Sequence, residues 1–282
     1  MIIVTGAMGQ LGLCLKSVLP EDTVFLSREK LDLTNKESLA GELSKYPAKS
    51  IVINTGAYTD VDKAEENMAR AYEVNSEAVG TIAEICQKFG LRLIHISTDY
   101  VFDGSSFRPI SEEDEAKPIG VYGKSKLSGE VAIKECSGFS QYIIIRTSWL
   151  YSEYGNNFLK TMIKLSNRKS IEVVSDQIGT PTYAGDLAEV IANCCESFDS
   201  LAGEVYHYSN EGVASWYDFA FEIMEKLGSH CTVTPIPSED FPTLAKRPHY
   251  SVFNKTKIKS KLKIEIPHWK KGLGKCLRKL SY

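Results

Sequence analysis

The first half of the chain alternates short apolar runs with longer segments whose apolar positions recur at helical spacing. The apolar runs are rich in β-branched residues and nearly continuous, which is typical of strands buried on both faces of a parallel sheet. The longest helical segment, Ala69–Phe89, ends at Gly90, and glycine commonly follows the last turn of a helix. Strands alternating with helices predict an α/β fold, a Rossmann-like doubly wound parallel sheet. The predicted strands are Ile2–Thr5, Val24–Leu26, Ile51–Asn54, Leu91–Ser97 and Tyr142–Thr147.

The pattern loosens after Trp149, where prolines punctuate the chain and helical periodicity returns at Ala184–Phe198 and Ser215–Leu227. A chain of 282 residues fits one main domain with a smaller lobe better than two full domains. We therefore expect a Rossmann-like domain at residues 1–150 and a smaller lobe at residues 151–282, and we allow for segments of the lobe that return to the main domain.

Composition and charge exclude several classes of protein. With 43% hydrophobic and 24% charged residues, the chain is neither disordered nor of low complexity. A net charge of −3 gives no general attraction to nucleic acid or to an anionic membrane. No apolar run approaches the roughly 18 residues of a spanning helix. Seven cysteines without a CxxC pair, and the lack of a secretory pattern after Met1, favour a reducing compartment. We expect a cytoplasmic protein with no nucleic-acid or membrane partner.

A glycine-rich loop with the spacing Gly6-x-x-Gly9-x-x-Gly12 follows the first predicted strand and opens a helical segment. Glycines here permit a tight turn and let the backbone approach a pyrophosphate at the start of the helix. The spacing is that of short-chain dehydrogenase-like proteins rather than GxGxxG. Because the loop joins a strand to a helix, we interpret residues 1–150 as an NAD(P)-binding domain rather than the loop as an empty flexible turn.

The end of the second predicted strand indicates which cofactor is used. The acidic residue that selects NAD at this position is absent. Ser27 and Arg28 are suited to a 2′-phosphate, whereas Glu29 would weaken that preference. Asp32 has two interpretations, as the N-cap of the following helix or as a contact to adenine. We expect NADPH, with NADH as the alternative.

Tyr122 and Lys126 lie four residues apart, on one face of a predicted helix. Alone, such a pair is expected by chance in a chain of this composition. In this chain the pair comes after the predicted strand Leu91–Ser97 and after Thr98, which directly follows that strand. A nicotinamide-dependent reductase requires these elements in this order. A neighbouring ammonium stabilises a phenolate and so lowers the pKa of tyrosine. We predict that Tyr122 protonates a carbonyl oxygen as hydride arrives, that Lys126 tunes it, and that Thr98 holds that oxygen.

Several longer blocks occur in order along the whole chain, and they resemble the dTDP-4-dehydrorhamnose reductases, an atypical extended short-chain dehydrogenase/reductase family. The resemblance implies that NADPH delivers hydride to C4 of dTDP-4-dehydro-6-deoxy-L-mannose, giving dTDP-L-rhamnose for a cell-surface polysaccharide. The blocks beyond the glycine loop and the Tyr-Lys pair are Ala57-Tyr-Thr-Asp-Val-Asp-Lys-Ala-Glu65, Ser97-Thr-Asp-Tyr-Val-Phe-Asp-Gly104, Arg146-Thr-Ser-Trp149, Gly155-Asn-Asn-Phe158, Asp176-Gln-x-Gly-x-Pro-Thr182, Lys246-Arg-Pro248 and Pro267-His-Trp269.

The resemblance also assigns residues to a cofactor and to a nucleotide-sugar substrate, and it makes residues 151–282 a substrate-binding lobe. Asn157, Gln177 and Arg247 would reach the nucleotide diphosphate, and Asp99, Tyr100 and Trp149 would shape the sugar pocket. The expected cofactor-binding residues are Gly6, Gly9, Gln10, Leu11, Gly12, Arg28, Asp32, Leu33, Ala57, Tyr58, Thr59, Tyr122 and Lys126. The expected substrate-binding residues are Thr98, Asp99, Tyr100, Trp149, Asn157, Gln177 and Arg247.

One position departs from the family pattern. Some members bridge their dimers through a metal held partly by a glutamate two residues after the third glycine, where this chain has Cys14. We expect a buried apolar thiol there, no metal, and a monomer or a weak homodimer. His95, in the middle of a predicted strand, is expected to be a core residue or to lie behind the site.

Other functions remain alternatives to this reductase. A dehydratase needs an Asp-Glu pair directly after Thr98, but Asp99 is followed by Tyr100. An epimerase holds NAD tightly, and the acid that selects NAD is missing. A reductase or epimerase of another 4-keto sugar would share most of the blocks. A non-catalytic NADP-binding regulatory subunit is the alternative outside enzymes, since a fold does not fix a function.

Overall fold

The computed structural model describes residues 1–282. Its centre is a six-stranded sheet in the order β2-β1-β3-β4-β5-β10, in which every neighbouring pair is parallel. The strands are β1 Ile2–Thr5, β2 Val24–Leu26, β3 Ile51–Asn54, β4 Arg92–Thr98, β5 Tyr142–Thr147, β6 Leu150–Tyr151, β7 Ser170–Val174, β8 Ile178–Gly179, β9 Thr182–Tyr183, β10 Glu204–Tyr208, β11 Ala214–Ser215 and β12 Thr232–Ile236.

Helices cover both faces of this sheet and form much of the smaller lobe. A π-helical turn, Glu73–Glu77, joins two of them, and a 3₁₀ turn, Asp99–Val101, follows β4. A second 3₁₀ turn spans Ser238–Asp240. The α-helices are α1 Gln10–Leu15, α2 Lys36–Leu43, α3 Val61–Glu66, α4 Met68–Tyr72, α5 Ala78–Phe89, α6 Val121–Glu135, α7 Phe158–Leu165, α8 Ala184–Glu196, α9 Phe198–Leu201, α10 Trp216–Leu227, α11 Thr256–Leu262 and α12 Trp269–Lys279.

The continuous apolar strands are explained by a hydrophobic core on each face of the sheet. Along β1, Ile3 packs in the core that includes Leu39 of α2 and Ile82 of α5. Its neighbour Val4 points to the opposite face and packs in the core that includes Leu187 of α8. A strand with both faces covered has no solvent-facing positions, so its sequence does not alternate. The α/β fold class, with a doubly wound parallel sheet, is confirmed.

The structure adds details that the sequence pattern does not show. The fourth strand begins at Arg92 because the N–H of Leu91 is used to cap the preceding helix, bonding the carbonyl of Cys86. The long helical segment is divided by the π-helical turn, and it ends at Gly90 in the left-handed conformation. The sixth strand, β10, comes from within residues 151–282 and pairs with β5, so the lobe returns a segment to the main sheet.

The smaller lobe is built from three two-stranded pairings and the helices α7, α10 and α12. Its core includes Tyr151, Phe219 and Leu273, which are almost completely buried. Helix α8 instead packs on the main sheet beside α1. No helix combines the length and the apolar character that crossing a bilayer requires.

Candidate active site

A cleft of about 890 Å³ opens where the main sheet meets the smaller lobe. Strands β1 and β3 are neighbours at this point, with β2 on the outer side of β1 and β4 on the outer side of β3. The strand order therefore reverses direction between β1 and β3, and doubly wound sheets bind their ligands at such a point. Most residues expected from the sequence come together here. Those that line the cleft are Gly6, Gly9, Gln10, Leu11, Arg28, Asp32, Leu33, Ala57, Tyr58, Thr59, Thr98, Asp99, Tyr100, Tyr122, Lys126, Trp149 and Asn157.

The glycine loop forms a backbone cradle at one end of the cleft. Gly6 has a φ of +67°, and a Cβ there would lie 2.5 Å from the backbone nitrogen of Gly56, so the loops after β1 and β3 touch directly. Gly12 does not line the cleft, and a Cβ on it would lie 2.7 Å from the carbonyl of Gly6. Gly12 therefore lets α1 pack closely on the loop. The backbone left open to the cleft suits a phosphate group.

The loop after β2 holds Asp32 in a turn. Asp32 Oδ1 accepts hydrogen bonds from the backbone nitrogen and the hydroxyl of Thr34, at 3.0 and 2.9 Å. The N-cap of α2 is Asn35, whose side chain accepts from the nitrogen of Ser38 at 2.9 Å. The interpretation of Asp32 as that N-cap is therefore wrong. Asp32 lines the cleft, as does the exposed Arg28.

Asn75, in the π-helical turn, holds the loop of Ala57–Thr59 against α6. Its Oδ1 accepts from the nitrogen of Tyr58 at 2.8 Å, and its Nδ2 donates to the carbonyl of Tyr58 and to the hydroxyl of Ser125, both at 3.0 Å. Single π-helical turns are frequent at functional sites. Asn75 could not be identified from the sequence, because its main partner, Tyr58, lies 17 residues away and no local pattern marks the bond.

Helix α6 carries the Tyr-Lys pair and lies unusually close to the turn after β4. A Cβ on Gly123 would lie 2.1 Å from the carbonyl oxygen of Tyr100, so only glycine allows this approach. The rings of Tyr100 and Tyr122 meet edge to face with centroids 5.5 Å apart. Tyr122 is thereby brought near Thr98, whose hydroxyl influences its pKa.

The pKa of Tyr122 is raised to about 12, mainly by burial and further by the Asp99 carboxylate, while the Thr98 hydroxyl lowers it. Lys126 is not among the groups that shift the pKa of Tyr122 here, since its Nζ donates to the carbonyl of Ile96 at 2.6 Å. Tyr122 therefore keeps its proton at neutral pH, as a general acid must. The tuning of Tyr122 by Lys126 stays a prediction.

Lys126 is almost completely buried, with 2% of its surface exposed. Burial lowers the pKa of its ammonium to about 8, and the charge of Glu130 opposes this shift. His95 lies directly behind it, with Nε2 at 3.4 Å from Lys126 Nζ, and is completely buried. The site thus contains a lysine whose charge is sensitive to its surroundings near neutral pH.

Asp99 places a carboxylate oxygen beside the cleft. Its Oδ1 accepts from the Thr98 hydroxyl at 3.1 Å, whereas the buried Oδ2 makes no well-aligned hydrogen bond, although the nearby Ser251 hydroxyl lowers the pKa of the carboxyl. Burial raises the pKa of Asp99 to about 6. Buried polar atoms are nearly always hydrogen-bonded in folded proteins, so this oxygen is suited to a hydroxyl group of a ligand.

Trp149 is held in a strained conformation at the mouth of the lobe. Its φ is +47°, and its indole stacks on that of Trp216 with centroids 3.6 Å apart and an angle of 3°. A Cβ on Gly179 would lie 2.6 Å from the Trp149 ring, which explains the glycine in the block Asp176-Gln-x-Gly. Backbone strain of this kind is found at ligand sites. Trp216, which also lines the cleft, was not expected from the sequence.

Of the three residues expected at the diphosphate, one lines the cleft and two do not. Asn157 lines the cleft and donates to the Gln10 side chain at 2.8 Å. Gln177 does not line it, because its amide donates to Ser238 at 2.9 Å. Arg247 is held by an ion pair with Asp62, at 2.6 Å, and also stands outside the lining.

Cys14 is 1% exposed and belongs to the hydrophobic core between α1 and α8. Burial raises the pKa of its thiol to about 12. The side chain therefore acts as a small apolar group, as the sequence suggests.

Comparison with known proteins gives a consistent family. The family model of the RmlD substrate binding domain matches residues 1–282. The dTDP-4-dehydrorhamnose reductase of Aggregatibacter actinomycetemcomitans is 39% identical over 288 aligned residues, which cover 96% of each chain. The spore coat polysaccharide biosynthesis protein SpsK of Bacillus subtilis is 38% identical, over 99% of this chain and 98% of the other.

Solved structures give the same relationship. The dTDP-4-dehydrorhamnose reductase of Bacillus anthracis in complex with NADP superimposes with a TM-score of 0.93 at 38% identity, over 99% of this chain and 98% of that one. A dTDP-glucose 4,6-dehydratase of Streptomyces venezuelae, at 16% identity and a TM-score of 0.80, shares the fold alone. With a family model that spans the whole chain and relatives this similar, the protein belongs to the RmlD substrate binding domain family.

Proposed function

We propose that this protein is an NADPH-dependent reductase that converts dTDP-4-dehydrorhamnose to dTDP-L-rhamnose. The observation that carries the proposal is the meeting of Thr98, Tyr122 and Lys126 beside a backbone cradle in one cleft. The relatives named as this reductase, and the one whose structure contains NADP, support both the reaction and the cofactor.

The cofactor, when bound, supplies a hydride and the residues around it hold it in place. Backbone groups of Gly9, Gln10 and Leu11 would contact the pyrophosphate, since the loop leaves them open to the cleft. Arg28 would meet a 2′-phosphate, because a guanidinium suits that dianion. Lys126 would contact the ribose next to the nicotinamide.

Proton donation falls to Tyr122. Its raised pKa keeps the phenol protonated, so it can donate to the 4-keto oxygen as negative charge develops there. Thr98, which lies at the end of β4 and is nearly buried, orients the same oxygen. A charged Lys126 on the same face of α6 would then stabilise the phenolate that remains.

The sugar and the diphosphate would be held by groups from both parts of the protein. The Asp99 carboxylate would accept from a sugar hydroxyl, since its Oδ2 makes no well-aligned hydrogen bond, and Tyr100 and Trp149 would shape the pocket. Asn157 would contact the diphosphate by sharing its amide, which also donates to the Gln10 side chain and to the carbonyl of Ser152. Gln177 and Arg247 would reach it only by leaving or sharing their bonds with Ser238 and Asp62.

The test is a reaction of purified protein with NADPH and dTDP-4-dehydrorhamnose, followed by loss of NADPH absorbance and by chromatography of the nucleotide sugar. We expect one dTDP-rhamnose formed per NADPH consumed. Consumption with another 4-keto sugar only would assign a different substrate. No consumption, together with a Tyr122→Phe variant that behaves like the parent, would reject the enzyme, and a stable co-purifying partner would then favour the regulatory subunit.

A further inference from the structure

Behind the cleft, a chain of buried polar side chains runs from the end of β1 to Lys126. Thr5 donates to Asn54 Oδ1 at 2.8 Å. Asn54 Nδ2 lies 3.2 Å from His95 Nδ1, and His95 Nε2 lies 3.4 Å from Lys126 Nζ. All four side chains are at most 2% exposed. Because water does not reach them, donors and acceptors along the chain have to match one another.

The orientation of the Asn54 amide is fixed by a backbone group. The N–H of Gly56 lies 3.2 Å from Asn54 Oδ1, and a backbone N–H can only donate, so this atom is the oxygen. The amide nitrogen therefore faces His95 Nδ1 and donates to it. A neutral His95 then carries its own proton on Nε2, pointed at Lys126. Burial, and next the Lys126 charge, hold the pKa of His95 well below its usual range, so the ring is neutral.

Two groups face Lys126 Nζ from behind: the carbonyl of Ile96, which accepts a hydrogen bond, and the Nε2–H of His95, which donates one. Lys126 Nζ donates to the carbonyl of Ile96 at 2.6 Å. An ammonium has no lone pair and cannot accept the Nε2–H of His95, whereas a neutral amine can. The carboxylate one turn along α6, Glu130, is already held by Arg146 of β5 at 2.7 Å. Behind the cleft, the Ile96 carbonyl and the charge of Glu130 favour the charged form, and burial and the Nε2–H of His95 oppose it.

The groups on the cleft side complete the surroundings of Lys126. Tyr122 lies one turn earlier on α6, and its raised pKa favours the uncharged phenol, while Asp99, whose Oδ1 is bonded to Thr98, lines the same cleft. The pKa of Lys126, about 8, means that amine and ammonium are equally populated near that pH. A modest new interaction can thus change the charge of this residue.

We propose that His95 is a positioning residue that sets the charge of Lys126: it donates Nε2–H to the neutral amine, and cofactor binding draws one proton from solvent onto Nζ. This inference rests on the proposed function, in which Lys126 contacts the ribose. Hydroxyl oxygens and phosphate charge favour an ammonium, which gives up the bond from His95. Near and above pH 8, positive charge beside Tyr122 is then more abundant when the cofactor is bound, which is when a phenolate has to be stabilised.

The tautomer of His95 can be observed directly by nitrogen-15 NMR of protein labelled at histidine. His207 is an internal control, equally buried on β10, with Nδ1 at 3.1 Å from the carbonyl of Ile110 and Nε2 at 3.3 Å from Arg146. Its ring must therefore donate through Nδ1. We expect protonation on Nε2 for His95 and on Nδ1 for His207. A His95 that is protonated on Nδ1, or on both nitrogens, would overturn the proposal.

Proton uptake tests the effect on Lys126. Calorimetry of NADPH binding in buffers of different ionisation enthalpy, at about pH 8.5, should show uptake of about 0.7 proton per NADPH. Asn54→Asp supplies an acceptor to Nδ1, moves the His95 proton there and offers the Nε2 lone pair to the ammonium. Uptake should then fall below about 0.2 proton, whereas the matched variant His207→Gln should keep the parent value.

Uptake in Asn54→Asp equal to that of the parent, or no uptake in the parent, would contradict the proposal. If Asn54→Asp does not fold, the tautomer of His95 in the parent protein still decides whether the proposal holds. Neither measurement requires turnover. An inactive protein with the expected His95 tautomer would refute the proposed reaction and leave this inference standing. An active protein with the opposite tautomer would refute this inference and leave the proposed reaction standing.

Discussion

A buried ion pair behind the catalytic helix should tolerate the loss of one partner poorly, and Arg146→Met is the substitution that tests this. Glu130 of α6 is completely buried and Arg146 of β5 is 3% exposed. Two nitrogens of Arg146 bond the carboxylate, at 2.9 and 2.7 Å, and Ser97 of β4 donates to it at 2.5 Å. The pair therefore joins two strands of the main sheet to the helix that carries Tyr122 and Lys126.

The magnitude follows from what the substitution leaves behind. Methionine fills much of the space of the arginine stem but leaves the Glu130 carboxylate buried with Ser97 as its remaining strong donor. Breaking a buried pair from one side costs about 3–5 kcal/mol in the free energy of unfolding. Replacing both members by methionine removes the stranded charge, so Glu130→Met/Arg146→Met should recover much of that loss.

Urea unfolding followed by tryptophan fluorescence and by circular dichroism measures these values. The matched control is Arg108→Met, which breaks an exposed ion pair with Asp114 and should leave the midpoint nearly unchanged. A loss below about 1 kcal/mol for Arg146→Met, or a double variant less stable than the single one, would show that this account of the pair is wrong.

Four further predictions concern the cleft. Tyr122→Phe should lower kcat about 10²- to 10⁴-fold while the fluorescence-measured affinity for NADPH changes little, and a kcat close to the parent value would deny it the role of acid. Gly6→Ala should abolish NADPH binding in the same titration, since its Cβ would collide with Gly56. Gly179→Ala should displace Trp149, which tryptophan fluorescence and a raised KM for the nucleotide sugar would report. Because the folded-state pKa of Asp99 is raised to about 6, its contribution to stability is full below the unfolded pKa and is lost as pH rises through 6. Asp99→Asn should therefore gain up to about 3 kcal/mol over the parent between pH 4 and 8, and an equal pH dependence of both proteins would contradict the shift.

The main sheet could be predicted from sequence because its strands are continuous apolar runs, a pattern that burial on both faces imposes. The strand β10 could not, since Glu204–Tyr208 mixes charged and aromatic residues and takes its place only by pairing with β5. The tyrosines of β10 are buried by packing with α8, which also lies within residues 151–282.

The candidate site shows the same division. Thr98, Tyr122 and Lys126 could be predicted because the type of each residue and its position in a strand or helix both carry the chemistry. Asn75 and the ion pair of Asp62 with Arg247 could not, since they depend on contacts between residues far apart in sequence. The stacking of Trp216 on Trp149 could not be predicted either, because these residues are also far apart in sequence.

Asn54 is an intermediate case. It is the polar residue that ends an otherwise apolar strand, and the carboxyl ends of parallel strands face the ligand site. Its position was visible in the sequence, but its role was not, because its bonds to Thr5 and His95 cross between strands.

The central claim is tested most directly by following the transferred hydrogen. The protein is incubated with dTDP-4-dehydrorhamnose and NADPH that carries deuterium at C4 of the nicotinamide, prepared separately in each of the two stereochemical forms, and the sugar is analysed by NMR and mass spectrometry. The account predicts one deuterium, at C4 of dTDP-rhamnose, from one of the two forms only. Product without deuterium from either form, or no product at all, would contradict it.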